Sequence, residues 1–124
     1  MVITYLLFIA SGIIKASGDI CLFHYDRSVF RDLPWFNPEV SWKNKYKDDL
    51  KTPLFPFSTT ALVVFTDWLH LHRAIDFLLI MVAMFITPFT FNSIYIKIFV
   101  FLSLWACRNI SFEIAFRYIF KKHH

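Results

Sequence analysis

The sequence predicts an all-α, polytopic membrane protein with three long transmembrane helices and a proline-rich interfacial loop between the first two. Of the 124 residues, 57% are apolar and 20% aromatic. A soluble domain is about 45–50% apolar, so this chain has more apolar surface than a soluble core needs. The charged residues, 18% of the total, fall between long uncharged runs rather than among them. Only two glycines occur, which argues against glycine-rich phosphate loops and dinucleotide-binding turns. The length suits one domain, residues 1–124.

Helix 1 is expected over about residues 2–32. Residues 2–14, VITYLLFIASGII, are uncharged, and apolar character resumes past Lys15 and Asp19 as far as Phe23. About twenty such residues cover the roughly 30 Å of a bilayer core at about 1.5 Å per residue. A cleaved signal would place basic residues before the run. Here none precede it, so a retained span is expected. No helix breaker occurs before Pro34.

The interfacial loop is expected over about residues 33–57. It holds Pro34, Pro38, Pro53 and Pro56, four of the five prolines, and proline at this density breaks helices. Trp35 and Trp42 among lysines suit the headgroup level of a leaflet. Helix 2 is expected over about 58–87, with Ser58, Thr59 or Thr60 as N-cap and Pro88 as its stop. Helix 3 is expected over about 92–121, capped from Thr90, Asn92 or Ser93 and closed by Lys121 and Lys122, which complement the helix dipole. A break near His72 and Arg73 would give four spans. It would leave only about eleven residues to cross on each side, too few for a span.

Lysine and arginine placement orients the three spans. The loop carries Arg27, Arg31, Lys43, Lys45, Lys47 and Lys51, and the C-terminal end carries Arg108, Arg117, Lys121 and Lys122. The residues before helix 1 and the turn at 88–92 carry none. Basic residues stay cytosolic, so the expectation is an inner or cytoplasmic membrane protein with its N-terminus outside and its C-terminus in the cytosol. The net charge of +4 comes from basic residues interleaved with acids. That pattern suits anionic headgroups, and no nucleic-acid partner is expected. Cys21 and Cys107 lie inside apolar helical patterns and are expected to be free thiols.

Counting about 1.5 Å per residue along each span sets Asp19 and His70 at one depth and Lys15, Arg73 and Arg108 close by. Asp67 falls at the cytosolic boundary. Charge inside a bilayer is costly unless paired. Lys15 and Asp19 share i,i+4 spacing, as do His72 and Asp76, while Asp67 and His70 share i,i+3. Asp67 can orient His70 by accepting its ring N–H, as carboxylates do for catalytic and metal-bound histidines. His70 and Asp67 are therefore the candidate catalytic pair. Asp19, Asp67 and His70, with His24 near them, are the candidate ligands for a divalent metal. Lys15, Arg73, Arg108, Lys43, Asn44, Lys45 and Tyr46 are the candidate substrate-binding groups for a lipid headgroup. Ser41 and Ser58 are nucleophile candidates by position alone.

The stretches WFNPEVSWKNKYK and STTALVVFTDWLH, within residues 35 to 70, resemble a signature of small multi-span membrane proteins of bacteria and their phages. The resemblance implies a multi-span membrane protein and supplies no activity. The functional expectation is a polar cluster at the cytosolic leaflet that binds a lipid headgroup or divalent metal, with membrane lipid as partner, and that modifies lipid if it is catalytic. The alternative is a homo-oligomeric pore, a holin-like protein or a scaffold subunit.

Overall fold

The computed structural model describes residues 1–87 and 93–122. Its helices are α1 (Val2–His24), α2 (Pro38–Ser41), α3 (Trp68–Ile86) and α4 (Ile94–Ile114). Short 3₁₀ turns follow α1 and punctuate the loop, and α4 continues into a π-helical segment, Ala115–Phe120. The described residues are mostly helical and contain no strand, so the protein is all-α. The spans Val2–Arg27, Trp68–Ile86 and Ile94–Phe120 are long and apolar enough to cross a membrane. Helix α3 runs unbroken through His72 and Arg73, which gives three spans rather than four. The turn at 88–92, with the expected caps Thr90 and Asn92, and the terminal His123 and His124 lie outside the described residues.

Helix α1 packs against both α3 and α4. Its buried positions are mostly small: Thr4, Ser11, Gly12, Ala16, Ser17, Gly18 and Cys21. Small residues let membrane helices approach backbone to backbone. At Gly12 an added Cβ would overlap Ser111 Oγ and the Arg108 carbonyl, and at Gly18 it would overlap the His72 ring. Phe8, Ala83, Val100 and Leu104 form the apolar core. Beyond it, at the end away from the loop, Thr87 Oγ1 donates to Thr4 Oγ1 at 3.2 Å. The Tyr5 and Ser103 hydroxyls meet at 2.6 Å.

Three boundaries differ from expectation. Helix α1 stops at His24, not near residue 32. Ser28 adopts an extended conformation, its Oγ donating to the Tyr25 carbonyl at 2.7 Å and accepting from Phe30 N–H at 3.1 Å. Such local side-chain bonds compete with helix. Helix α3 starts at Trp68, ten residues after Ser58, because Asp67 supplies the cap: its carboxylate accepts the His70 N–H at 2.9 Å. Residues 58–66 form turns and a 3₁₀ segment, Val63–Phe65. The third difference is the π-helical end of α4. It stays on α1, with the His24 and Phe116 rings edge to face at 5.8 Å. The chain then pairs back onto the loop, through Val29 N–H to the Phe120 carbonyl at 2.9 Å and Lys122 N–H to the Arg27 carbonyl at 2.7 Å.

The loop carries its own hairpin, closed where Tyr46 pairs with Pro53. Asp49 organises its tip. The Thr52 hydroxyl and the backbone N–H groups of Lys51 and Thr52 donate to its carboxylate and hold its pKa down to about 2. The folded value lies below the ordinary carboxylate range of about 4. The contribution of Asp49 is therefore complete above that range and is lost as pH falls towards 2. Amide exchange at Lys51 and Thr52 is expected to accelerate between pH 4 and 2 relative to the neighbouring loop amides, and Asp49→Ala is expected to abolish that pH dependence.

Candidate interfacial site

The site assembles where the loop meets the start of α3. Thr66 and Asp67 are buried there, at 5% and 1% exposure. Asp67 caps α3 and points both carboxylate oxygens at His70 Nδ1, at 2.9 and 2.8 Å. The Thr66 hydroxyl lies 3.3 Å from the same carboxylate. A ring nitrogen held against a carboxylate carries the proton, which makes His70 Nε2 the acceptor nitrogen of the ring. The His70 side chain is 35% exposed, while Asp67 is closed off. This gives a buried orienting acid behind an accessible imidazole.

The loop reaches this point through one carbonyl. Trp35 Nε1 and Asn44 Nδ2 both donate to Thr66 O, at 3.1 and 3.0 Å. Two side chains far apart in sequence are thereby fixed one residue from Asp67. Trp35, Phe36 and Trp68 pack around the same corner, with ring centroids 5.4–5.9 Å apart. Lys43, Asn44 and Tyr46 line a surface concavity of about 530 Å³ together with Lys47, Asp48, Leu50 and Leu54. Three of the four loop residues expected to bind a headgroup thus share one depression, and Asn44 links it to the cap. Lys45 lies outside that lining; its ammonium rests 5.5 Å from the Tyr46 ring centroid.

Most of the other expected site residues make contacts elsewhere. Lys15 Nζ pairs with Asp19 at 2.8 Å on one face of α1, and the same ammonium sits 5.6 Å from the Phe112 ring centroid. With Asp19 held by Lys15, the expected metal set Asp19, Asp67 and His70 does not close. Among the described residues no group of three His, Cys, Asp or Glu could hold a metal. His24 faces Phe116 instead. Arg108 is buried at 6% and is not available to a substrate. Its Nη2 grips Asp76 at 2.8 and 3.2 Å, and its Nε donates to Ser11 Oγ at 2.8 Å. The Ser11 hydroxyl in turn donates to Asp76. This triad joins all three spans. His72 does not pair with Asp76, because its Nδ1 meets its own helix at the Trp68 carbonyl, 2.9 Å away. Arg73 is exposed. Ser41 Oγ is buried without a hydrogen-bond partner among the described residues, and Ser58 Oγ donates to the Lys45 carbonyl at 2.7 Å. Among the described residues neither hydroxyl is hydrogen-bonded to a base.

Two features escaped sequence reasoning. The Arg108–Asp76–Ser11 triad depends on helix rotation, which spacing along one helix cannot give. Asp67 as the cap of α3 was readable, since aspartate ranks among the best N-cap residues. Asp67→Ala is expected to remove about 0.5–2 kcal/mol of helix stability through the lost cap, with faster amide exchange at His70 and Leu71. Asp67→Asn keeps an acceptor oxygen for the cap and is expected to retain most of it.

No family model, curated protein or solved structure matches the chain.

Proposed function

We propose that this is an integral membrane protein that recognises the phosphate-bearing headgroup of an anionic lipid at its loop face. The observation that carries the reading is the double clamp on Thr66 O. It draws the lysine-flanked concavity of the loop to the foot of α3, where the Asp67–His70 pair stands. Lys43 and Lys47 supply charge, Asn44 and Tyr46 supply directional hydrogen bonds, and His70 supplies a proton-exchanging nitrogen. Phosphate oxygens suit such a set, because charge-assisted hydrogen bonds to them are short and strong. The loop and the C-terminal lysines together make this face the basic one, which supports a cytosolic placement with the N-terminus outside.

The test is native mass spectrometry of the protein released from nanodiscs of mixed phosphatidylglycerol and phosphatidylcholine. The wild type is expected to retain phosphatidylglycerol. Lys43→Gln and Lys47→Gln are each expected to lower that retention about tenfold, as the loss of one charged contact of roughly 1.5 kcal/mol implies. Equal retention of both lipids, unaffected by either substitution, would overturn the reading.

The geometry of the Asp67–His70 pair favours a second reading, general acid–base chemistry on the bound lipid. ³¹P NMR of the same nanodiscs separates the two. New phosphorus resonances that vanish in His70→Gln would identify a lipid-modifying enzyme, and an unchanged spectrum a binding protein.

A further inference from the structure

The loop hairpin presents large apolar side chains outward from a backbone that works to hold them there. Leu50 and Phe57 have φ of 55° and 64°, the two positive-φ non-glycine residues among those described. Bulky side chains are rarely found in this region, and strain of this kind persists only where the surroundings impose it. Hydrogen bonds fix both turns: Leu50 N–H donates to the Lys47 carbonyl at 2.9 Å, and the Phe57 carbonyl accepts from Thr60 and Leu62 at 3.0 and 2.9 Å. Yet the side chains so presented do not enter the fold. Leu50 is 44% exposed, Leu54 49% and Phe57 68%.

Two further observations say what covers them. The Asn44 and Trp35 bonds to Thr66 O fasten the loop at the level where the α3 span begins. Between Phe57 and that span Leu62 and Phe65 are exposed as well, and further along the span so are Phe77, Leu78 and Met81. The hairpin's exposed apolar side chains thus lead along the chain, through Leu62 and Phe65, to the start of a span long and apolar enough to cross a membrane. Lys43, Lys45, Lys47 and Lys51 lie on the same segment and, with the exposed Asp48 and Asp49, would stay at headgroup level while only the Leu50, Leu54 and Phe57 side chains pass below them. We infer that residues 46–57 form a leaflet-inserted finger, with Leu50, Leu54 and Phe57 seated among the acyl chains of the leaflet in which α3 starts. This inference rests on the three spans and not on headgroup recognition.

The test is site-directed spin labelling of Leu54→Cys in phosphatidylglycerol–phosphatidylcholine nanodiscs, with Cys107→Ala as background. Accessibility to oxygen is compared with accessibility to a water-soluble nickel chelate. In the otherwise unchanged protein the label is expected to favour oxygen, as an acyl-chain position does. A label that favours the nickel chelate would overturn the inference, whatever the lipid-retention experiment shows. Leu50→Asn with Phe57→Asn removes the apolar tips but keeps residues that tolerate positive φ, so the hairpin is expected to fold. In that variant the oxygen preference is expected to fall several-fold, and an unchanged preference would also overturn the inference. Leu50→Gly alone serves as the second variant, with a smaller fall in the same direction expected and no fall contradicting the role of Leu50.

Discussion

Arg108→Leu is expected to be the most destabilising single change in the membrane-spanning core. Arg108 closes a three-helix contact with Asp76 of α3 and Ser11 of α1. Removing the guanidinium strands a carboxylate whose side chain is only 19% exposed, in a region where an unpaired charge has little solvation to fall back on. Breaking one partner of a buried pair costs about 3–5 kcal/mol, and reversible unfolding in detergent should read a loss of that size. Replacing both partners, as in Arg108→Leu with Asp76→Leu, is expected to recover most of it, because two apolar groups need no partner. If the two single losses simply add, the groups are not coupled and the triad does not hold the spans together.

The second large effect falls on the two glycines. Gly12→Ala forces a methyl into the Arg108 carbonyl and the Ser111 hydroxyl, so α1 and α4 must separate. A carbonyl on a packed helix cannot turn aside as a side chain can. Overpacking of this kind costs about 1–3 kcal/mol. Here it also pulls on the Ser111 hydroxyl, which lies 3.1 Å from the Ile9 carbonyl of α1. Gly18→Ala meets the His72 ring, which can move only by giving up its bond to the Trp68 carbonyl. The expected order of melting temperatures in detergent is wild type, then Gly18→Ala, then Gly12→Ala. A Gly12→Ala protein as stable as the wild type would mean that α1 and α4 are not in backbone contact.

The sequence made the spans legible because a bilayer demands long uncharged runs, and such runs are visible without knowing what packs on what. Pairs one helical turn apart were legible for a related reason. Lys15 with Asp19 follows from helix geometry alone, and Asp67 with His70 is formed too, though from the extended cap position before α3. His72 with Asp76 has equally good spacing and is not formed, because each group has a competing partner: a backbone carbonyl for His72 and Arg108 for Asp76. Spacing says which groups can meet, and the neighbouring helices decide which do. The start of α3 was misplaced because Ser58, Thr59 and Thr60 are acceptable caps, while Asp67, inside the expected helix, reads as a charge at its cytosolic boundary. It is buried and it caps the helix: the carboxylate that meets the His70 ring, and so made it a catalytic candidate, also accepts the His70 backbone N–H that starts the helix. The loop could not be read in detail, since its docking depends on one carbonyl shared by Trp35 and Asn44.

The account depends above all on three spans that bring the loop, the Asp67–His70 pair and the C-terminal end to the same side of the membrane. Membrane-impermeant maleimide labelling of Lys51→Cys, Lys122→Cys and Val2→Cys tests this most directly. Cys107→Ala provides the background, Cys21 being fully buried. In sealed vesicles of one orientation, Lys51→Cys and Lys122→Cys are expected to label together and Val2→Cys only from the opposite side. Labelling of Lys51→Cys and Lys122→Cys from opposite sides would contradict the three-span arrangement, and with it the site.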